Sequence, residues 1–118
     1  MNEVTLYWLP NCSTCKKAKV FLAHKGIVIT KFHDLKVSPL SREEVEKLAE
    51  LVGGAERLFS RRAIKYRELG FNERELSNDE MLDLMSSEYT FIKRPVLVVN
   101  GKVTAGFSER DYHEVLAK

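Results

Sequence analysis

The stretch Val4-Thr5-Leu6-Tyr7-Trp8-Leu9-Pro10-Asn11-Cys12-Ser13-Thr14-Cys15-Lys16-Lys17-Ala18 decides the fold. Its first six residues are β-branched, aromatic or apolar, the composition of a short buried strand. Pro10-Asn11 breaks the run. Ser13 and Thr14 are then suited to cap a helix running to about Lys25, with Ala18, Phe21 and Leu22 on its apolar face and Gly26 as its stop. Ile27-Val28-Ile29 with Phe32 reads as a second strand. Strand, helix and strand in this order leave a crossover long enough for parallel pairing.

Further along, the pattern turns helical. Ser41-Arg42-Glu43-Glu44 and Ser77-Asn78-Asp79-Glu80 both have the spacing of a capping box, in which a serine and a glutamate three residues later satisfy each other's backbone amides. Val45, Leu48, Ala49 and Val52 form the stripe of the first of these helices, which Gly53-Gly54 stops. Ala55 to Phe59 reads as a short helix or turn, and Met81, Leu82, Leu84 and Met85 lie inside the later helix. No Pro/Gly/Ser-rich linker separates this block, about residues 40–90, so it reads as a helical insertion within one domain spanning 1–118. Strands then return. Val96 to Val99, Asn100-Gly101 and Lys102 to Ala105 form a hairpin signal, because Asn-Gly is the favoured pair for a two-residue type I′ turn. Ser108 caps a last helix, Glu109 to Leu116. The expected fold class is α/β, a mixed sheet of β-α-β and β-β-α units with the helical insertion between them.

Composition narrows the function classes. The chain has 118 residues, 44% of them hydrophobic, enough apolar content for a folded core and too much for disorder. Its 19 basic and 17 acidic residues give a net charge of +2, too balanced to argue for direct nucleic-acid binding. Apolar runs are only a few residues long, so no membrane span is expected. Met1-Asn2-Glu3-Val4 lacks the basic and apolar regions of a secretory signal, which makes a cytoplasmic location the expectation.

Both cysteines of the chain sit in Cys12-Ser13-Thr14-Cys15. A cysteine where a strand hands over to a helix faces unpaired backbone N–H groups and the positive end of the helix dipole, and both favour the reactive thiolate. Cys15 lies three residues on, within reach as a resolving thiol. Two inert core cysteines are the plain alternative. A zinc site would need two more ligands, and His24, His33 and His113 lack ligand spacing, so no metal is expected. Lys93-Arg94-Pro95-Val96 is the second constellation. Pro95 suits the first position of a strand and is a candidate for a cis peptide, while Arg94 offers a planar fork to an oxyanion or carboxylate. Arg61-Arg62 reads either as a solvated face or as an anion site. Gly106-Phe107-Ser108 reads as a turn into the last helix, with Phe107 in the core, or as backbone N–H groups that hold the carboxylate of a small thiol.

Taken together, Pro10 to Ala18, Lys93-Arg94-Pro95-Val96 and Ala105-Gly106-Phe107-Ser108-Glu109 resemble the family of glutaredoxin-coupled arsenate reductases and Spx-type regulators. The resemblance runs over nearly the whole chain. It implies a thioredoxin-like fold with an inserted helical subdomain, and it makes Pro95 the cis-proline. In the reductases of this family a cysteine attacks arsenate, glutathione attacks the adduct and glutaredoxin resolves it, with three arginines on the oxyanion. Cys12 matches that nucleophile, Arg94 the second arginine, and Arg61 or Arg62 the first. The third arginine's place is held here by Gly106-Phe107. One lost charge-assisted contact costs roughly 1.5–3 kcal/mol of oxyanion affinity. Cys15 has no counterpart in those reductases, so here the chemistry can close as an internal disulfide.

Spx-type proteins do carry both cysteines, and use their disulfide as a switch on binding the C-terminal domain of the RNA polymerase α chain. Their polymerase-contacting glycine falls at about Gly54, and their basic C-terminal extension is not seen before this chain ends at Lys118. A further branch of small proteins with a glutathione site resembles the Arg94-Pro95 and Gly106-Phe107-Ser108 segments. The expected function is therefore a thiol–disulfide oxidoreductase with Cys12 as nucleophile and Cys15 as resolver. No cofactor is expected to be bound, glutathione or glutaredoxin is the expected partner, and the chain is expected to be a monomer. The alternative is a redox-sensing regulator that binds the RNA polymerase α subunit.

Overall fold

In the computed structural model, which describes residues 3–117, Val4 and Leu6 point from the first strand into the core while Thr5 and Tyr7 point the other way. This alternation belongs to a half-buried strand, β1 (Val4–Trp8). Met1, Asn2 and Lys118, on which the expectations about the chain ends rest, lie outside the described residues. Among the described residues, four strands form one mixed sheet in the order β2-β1-β3-β4. β2 (Lys31–Asp34) runs parallel to β1, while β3 (Val96–Val99) and β4 (Lys102–Ala105) are antiparallel neighbours beyond it. Val4 faces Val99 and Leu6 faces Leu97, so the core side of the sheet is set by two cross-strand apolar pairs. Helices α1 (Ser13–His24) and α6 (Glu109–Leu116) join that side through Ala18, Leu22 and Tyr112. Each fully buried large side chain of this kind contributes about 1.5–3 kcal/mol. This is a mixed α/β arrangement of β-α-β and β-β-α units, as the sequence leads one to expect.

The hairpin forms as its sequence predicts. Asn100 (φ 50°) and Gly101 (φ 80°) are both left-handed, as a type I′ turn requires, and Val99 pairs with Lys102 across it. The second strand differs from expectation. It is Lys31–Asp34, whereas Ile27-Val28-Ile29 is loop. The end of α1 explains the shift. The Ile27 N–H donates to Leu22 O and the Gly26 N–H to Ala23 O, so residues 25–27 are spent on a Schellman stop. Ile27 and Ile29 still pack on the core from outside the sheet, and Val28 is 76% exposed. Thr30 then docks the chain onto β1, its hydroxyl donating to Val4 O and accepting from Val4 N–H, and pairing begins at Lys31.

The chain divides into two compact units, residues 1–38 with 94–118, and residues 39–93. The second unit is helical: α2 (Arg42–Val52), α3 (Ala55–Leu58), α4 (Ile64–Glu68) and α5 (Asn78–Ser87), with single 3₁₀ turns at 71–73 and 89–91. Both capping boxes are present in full, Ser41 with Glu44 and Ser77 with Glu80. Gly53 (φ 103°) ends α2. Val45, Leu48 and Ala49 are buried on α2, Met81 and Met85 on α5, and Phe59 stacks on Phe91 at 5.4 Å. Arg42 ties the two helices at the surface, pairing with Glu46, Asp79 and Asp83.

Candidate active site

The site grows out of the end of β1. The Cys12 N–H donates to Leu9 O at 3.0 Å, closing a turn over Pro10-Asn11. That turn makes Cys12 the last extended residue (φ −83°, ψ 122°), and its carbonyl accepts from Lys16 N–H at 3.0 Å. Cys12 is therefore the N-cap of α1. The expectation that Ser13 and Thr14 cap this helix is corrected: both are already helical. The functional consequence is direct, since the sulfur rather than a hydroxyl stands at the end of the helix where amides are unpaired. No acidic residue offsets it in the first turn.

Register brings the second constellation alongside. Tyr7 pairs with Val96, so the end of β1 that leads to Cys12 runs beside the start of β3, where Arg94 and Pro95 precede Val96. The Arg94–Pro95 peptide is cis. Pro95 is buried, and its carbonyl accepts the Gly106 N–H at 2.8 Å. Gly106 (φ 82°) turns the chain from β4 towards α6 in a conformation that glycine adopts without strain. Its amide is thus committed to Pro95 and is not the one that would hold a ligand carboxylate. Phe107 packs edge-on against Tyr112 at 5.0 Å and against Phe21 at 5.5 Å, as part of the core.

The two thiols are shifted in opposite directions. Burial disfavours charge on Cys12, but the Cys15 thiol and backbone N–H and the Arg94 guanidinium outweigh it, so the Cys12 pKa is lowered. The neutral side chain closes no cap hydrogen bond of full geometry; it is the charged sulfur that these donors favour. Cys15 is fully buried, and burial pushes its thiol up to about 12, with the Leu9 backbone opposing and the Cys12 sulfur reinforcing the rise. Both are free cysteines in this structure. A half-buried thiol of lowered pKa beside a buried thiol of raised pKa is an arrangement in which one sulfur can attack and the other can resolve.

Arg61, Arg62 and Gly54 belong to the 39–93 unit. Arg61 pairs with Glu56 at 3.5 Å and lies over the Phe59 ring at 5.9 Å. Arg62 is exposed, its backbone N–H donating to Ser60 Oγ at 3.3 Å. Gly54 (φ 134°) is the N-cap of α3, and its N–H donates to Ala49 O at 2.7 Å, completing the stop of α2. Sequence reading passed over Tyr112. It is fully buried, and its hydroxyl has no hydrogen-bond partner among the described residues. Such an orphaned hydroxyl costs about 1–3 kcal/mol. Its signal in the sequence was only that of one more apolar position on α6.

Comparison with known proteins fits this geometry. The model of the ArsC family matches residues 7–115, which include every element of the site from the turn before Cys12 to α6. The chain belongs to the ArsC family. Among its relatives, the uncharacterized protein YusI of Bacillus subtilis (strain 168) is 40% identical over 115 residues, covering 95% of this chain and 97% of the relative. The global transcriptional regulator Spx of Streptococcus mutans is 31% identical over 116 residues, covering 98% of this chain and 84% of Spx. The solved structure of an arsenate reductase from Vibrio cholerae superposes with a TM-score of 0.81 at 28% identity, covering 97% of this chain and 98% of that one. The chain is thus similar both to a protein named as an enzyme and to one named as a regulator.

Proposed function

We propose that this ArsC-family protein is a thiol–disulfide oxidoreductase, with Cys12 as nucleophile, Cys15 as resolving thiol and glutathione or glutaredoxin as the reducing partner. The observation that carries the reading is the opposite tuning of the two sulfurs at one helix end, with Arg94 against the activated one. A disulfide substrate is attacked by the Cys12 thiolate, and the resulting mixed disulfide is opened by Cys15 to leave an internal Cys12–Cys15 bond. Arg94 favours substrates that carry an anionic group near the sulfur, glutathione among them. Arsenate is a weaker candidate, because Gly106-Phe107 occupies the place of an arginine in the family's reductases.

Mass spectrometry after mild peroxide, with and without glutathione, tests this. The expected products are an internal disulfide without glutathione and a transient adduct on Cys12 with it. Unmodified thiols under both conditions would remove the proposal.

The likeness to Spx supports a second reading, a redox-sensing regulator whose Cys12–Cys15 pair governs binding to the C-terminal domain of the RNA polymerase α chain. It predicts that the protein captures that domain in a pull-down and that reduction alters the capture. Absence of capture in both redox states ends it.

A further inference from the structure

The solvent-facing side of α1 carries a groove of about 490 Å³, lined by Val20, Phe21 and Phe107, with Lys16, Lys17 and His24 along its rim. Phe21 and Phe107 meet edge-on at 5.5 Å and form a fixed floor. Val20 stands beside them 55% exposed. Cys12, Lys16, Val20 and His24 are successive i, i+4 positions, so they make one ridge of the helix. The groove therefore starts next to the reactive cysteine and leads away from it. Along the axis, Val20 is about 12 Å and His24 about 18 Å from Cys12.

Charge marks the same face. α1 holds Lys16, Lys17 and Lys19 and no acidic residue. Lys25, just past its end, places its ammonium 5.5 Å from the centre of the Phe21 ring. Glu109, at the start of α6, is the one acidic residue of the groove. Neither Lys16 nor Lys17 enters an ion pair among the described residues, so their charge is open to an acidic partner. Glutathione is a tripeptide, at most about 10 Å long. Bonded to Cys12 through its central residue, it falls short of the His24 end. A folded protein spans the whole groove.

We propose that this groove docks a protein dithiol, the reductant of the Cys12–Cys15 disulfide, through an apolar side chain flanked by carboxylates. The inference rests on the two cysteines forming a redox pair. In the step it serves, a partner thiolate attacks Cys12 Sγ. The partner–Cys12 bond forms, the Cys12–Cys15 bond breaks, and Cys15 takes up a proton. The partner's second thiol gives up its proton, opens the mixed disulfide and frees Cys12. The exchange balances, since one disulfide and one dithiol become one dithiol and one disulfide.

The test uses the full chain, oxidised by mild peroxide, and two synthetic dithiol peptides. Both contain Cys-Gly-Gly-Cys; four residues on, one carries Leu-Glu-Glu and the other Leu-Lys-Lys. At low salt the acidic peptide should reduce the chain on the order of tenfold faster than the basic one, and added salt should shrink the difference. Val20→Glu should remove most of that advantage. Val20→Lys loses the apolar contact but adds no acid, and should keep the preference for the acidic peptide. Dithiothreitol, which has no side chain to dock, should reduce all three chains at one rate. Separately, the acidic peptide with serines for its cysteines should shift the Val20 and His24 amide signals of the reduced chain in NMR. Equal rates for the two peptides, no loss in Val20→Glu, or unmoved amides would overturn the proposal. So would a matching loss with dithiothreitol, which would place the effect in the disulfide itself. Faster reduction by the basic peptide would assign the opposite partner, and amide shifts on raising the protein concentration alone would assign a second copy of the chain; either overturns it. If peroxide forms no internal disulfide in the wild type, the redox reading itself fails and this inference with it, a failure visible before any peptide is added.

Discussion

Cys12 at the N-cap and Cys15 at the third helical position of α1 are one turn apart, yet the structure lowers the pKa of the first and raises that of the second. Solvent access separates them: Cys12 is half-buried beside Arg94, and Cys15 is sealed in the core.

Alkylation against pH should resolve the two. Cys12 should react with a midpoint below that of an ordinary thiol, about 8.5, and Cys15 should stay protected until about 12. Arg94→Ala should move the Cys12 midpoint upward, because a guanidinium that favours the thiolate is lost. An unmoved midpoint would remove Arg94 from the activation.

Trapping should distinguish the roles. Cys15→Ser should accumulate a stable glutathione adduct on Cys12. Cys12→Ser should leave Cys15 unmodified at neutral pH, given its burial and raised pKa. Intact mass after exposure to oxidised glutathione reads both, and an adduct on Cys15 in the second variant would reverse the assignment.

Folding should respond to alkali through Cys15. Its folded pKa of about 12 lies above the unfolded value of about 8.5. Stability from keeping the thiol neutral is therefore complete below the unfolded value and is lost as pH rises through about 12. Cys15→Ala should flatten the alkaline limb of a denaturation series, and an unchanged limb would contradict this.

The acid side has its own marker. Arg74, foremost, and the Ser77 backbone hold the Glu80 carboxyl at about 2. Folded below its unfolded value, it contributes stability that is present above the unfolded pKa and lost as pH falls through about 2. NMR titration should place the Glu80 midpoint well below the ordinary glutamate value, and Arg74→Ala should raise it.

Core and turn should show different costs. Leu97→Ala, at a fully buried position facing Leu6, should destabilise by about 2–5 kcal/mol. Gly106→Ala has open space for its Cβ, so only the left-handed backbone resists it, at about 1–2 kcal/mol. Urea midpoints compare the two, and a larger loss at Gly106 would contradict the ranking.

Much of this site was written in local chemistry. The strand-to-helix handover at Cys12, the Asn100-Gly101 turn and both serine–glutamate boxes rest on short-range rules, and each is found in place. What escaped depends on distant partners. Lys31–Asp34 is too polar to read as a strand, and becomes one because Thr30 docks on Val4. Cys12 takes the cap from Ser13 because Leu9 closes the preceding turn. Tyr112 ends fully buried with its hydroxyl unpartnered among the described residues, an outcome of tertiary packing that no helical stripe announces.

All four strands of the described residues, and both cysteines, come from outside residues 39–93. That stretch supplies no named strand of the sheet among the described residues and neither sulfur. The helical segment and the cysteine pair are therefore separate stretches of chain, so a chimaera that exchanges residues 39–93 keeps both sulfurs and every named strand.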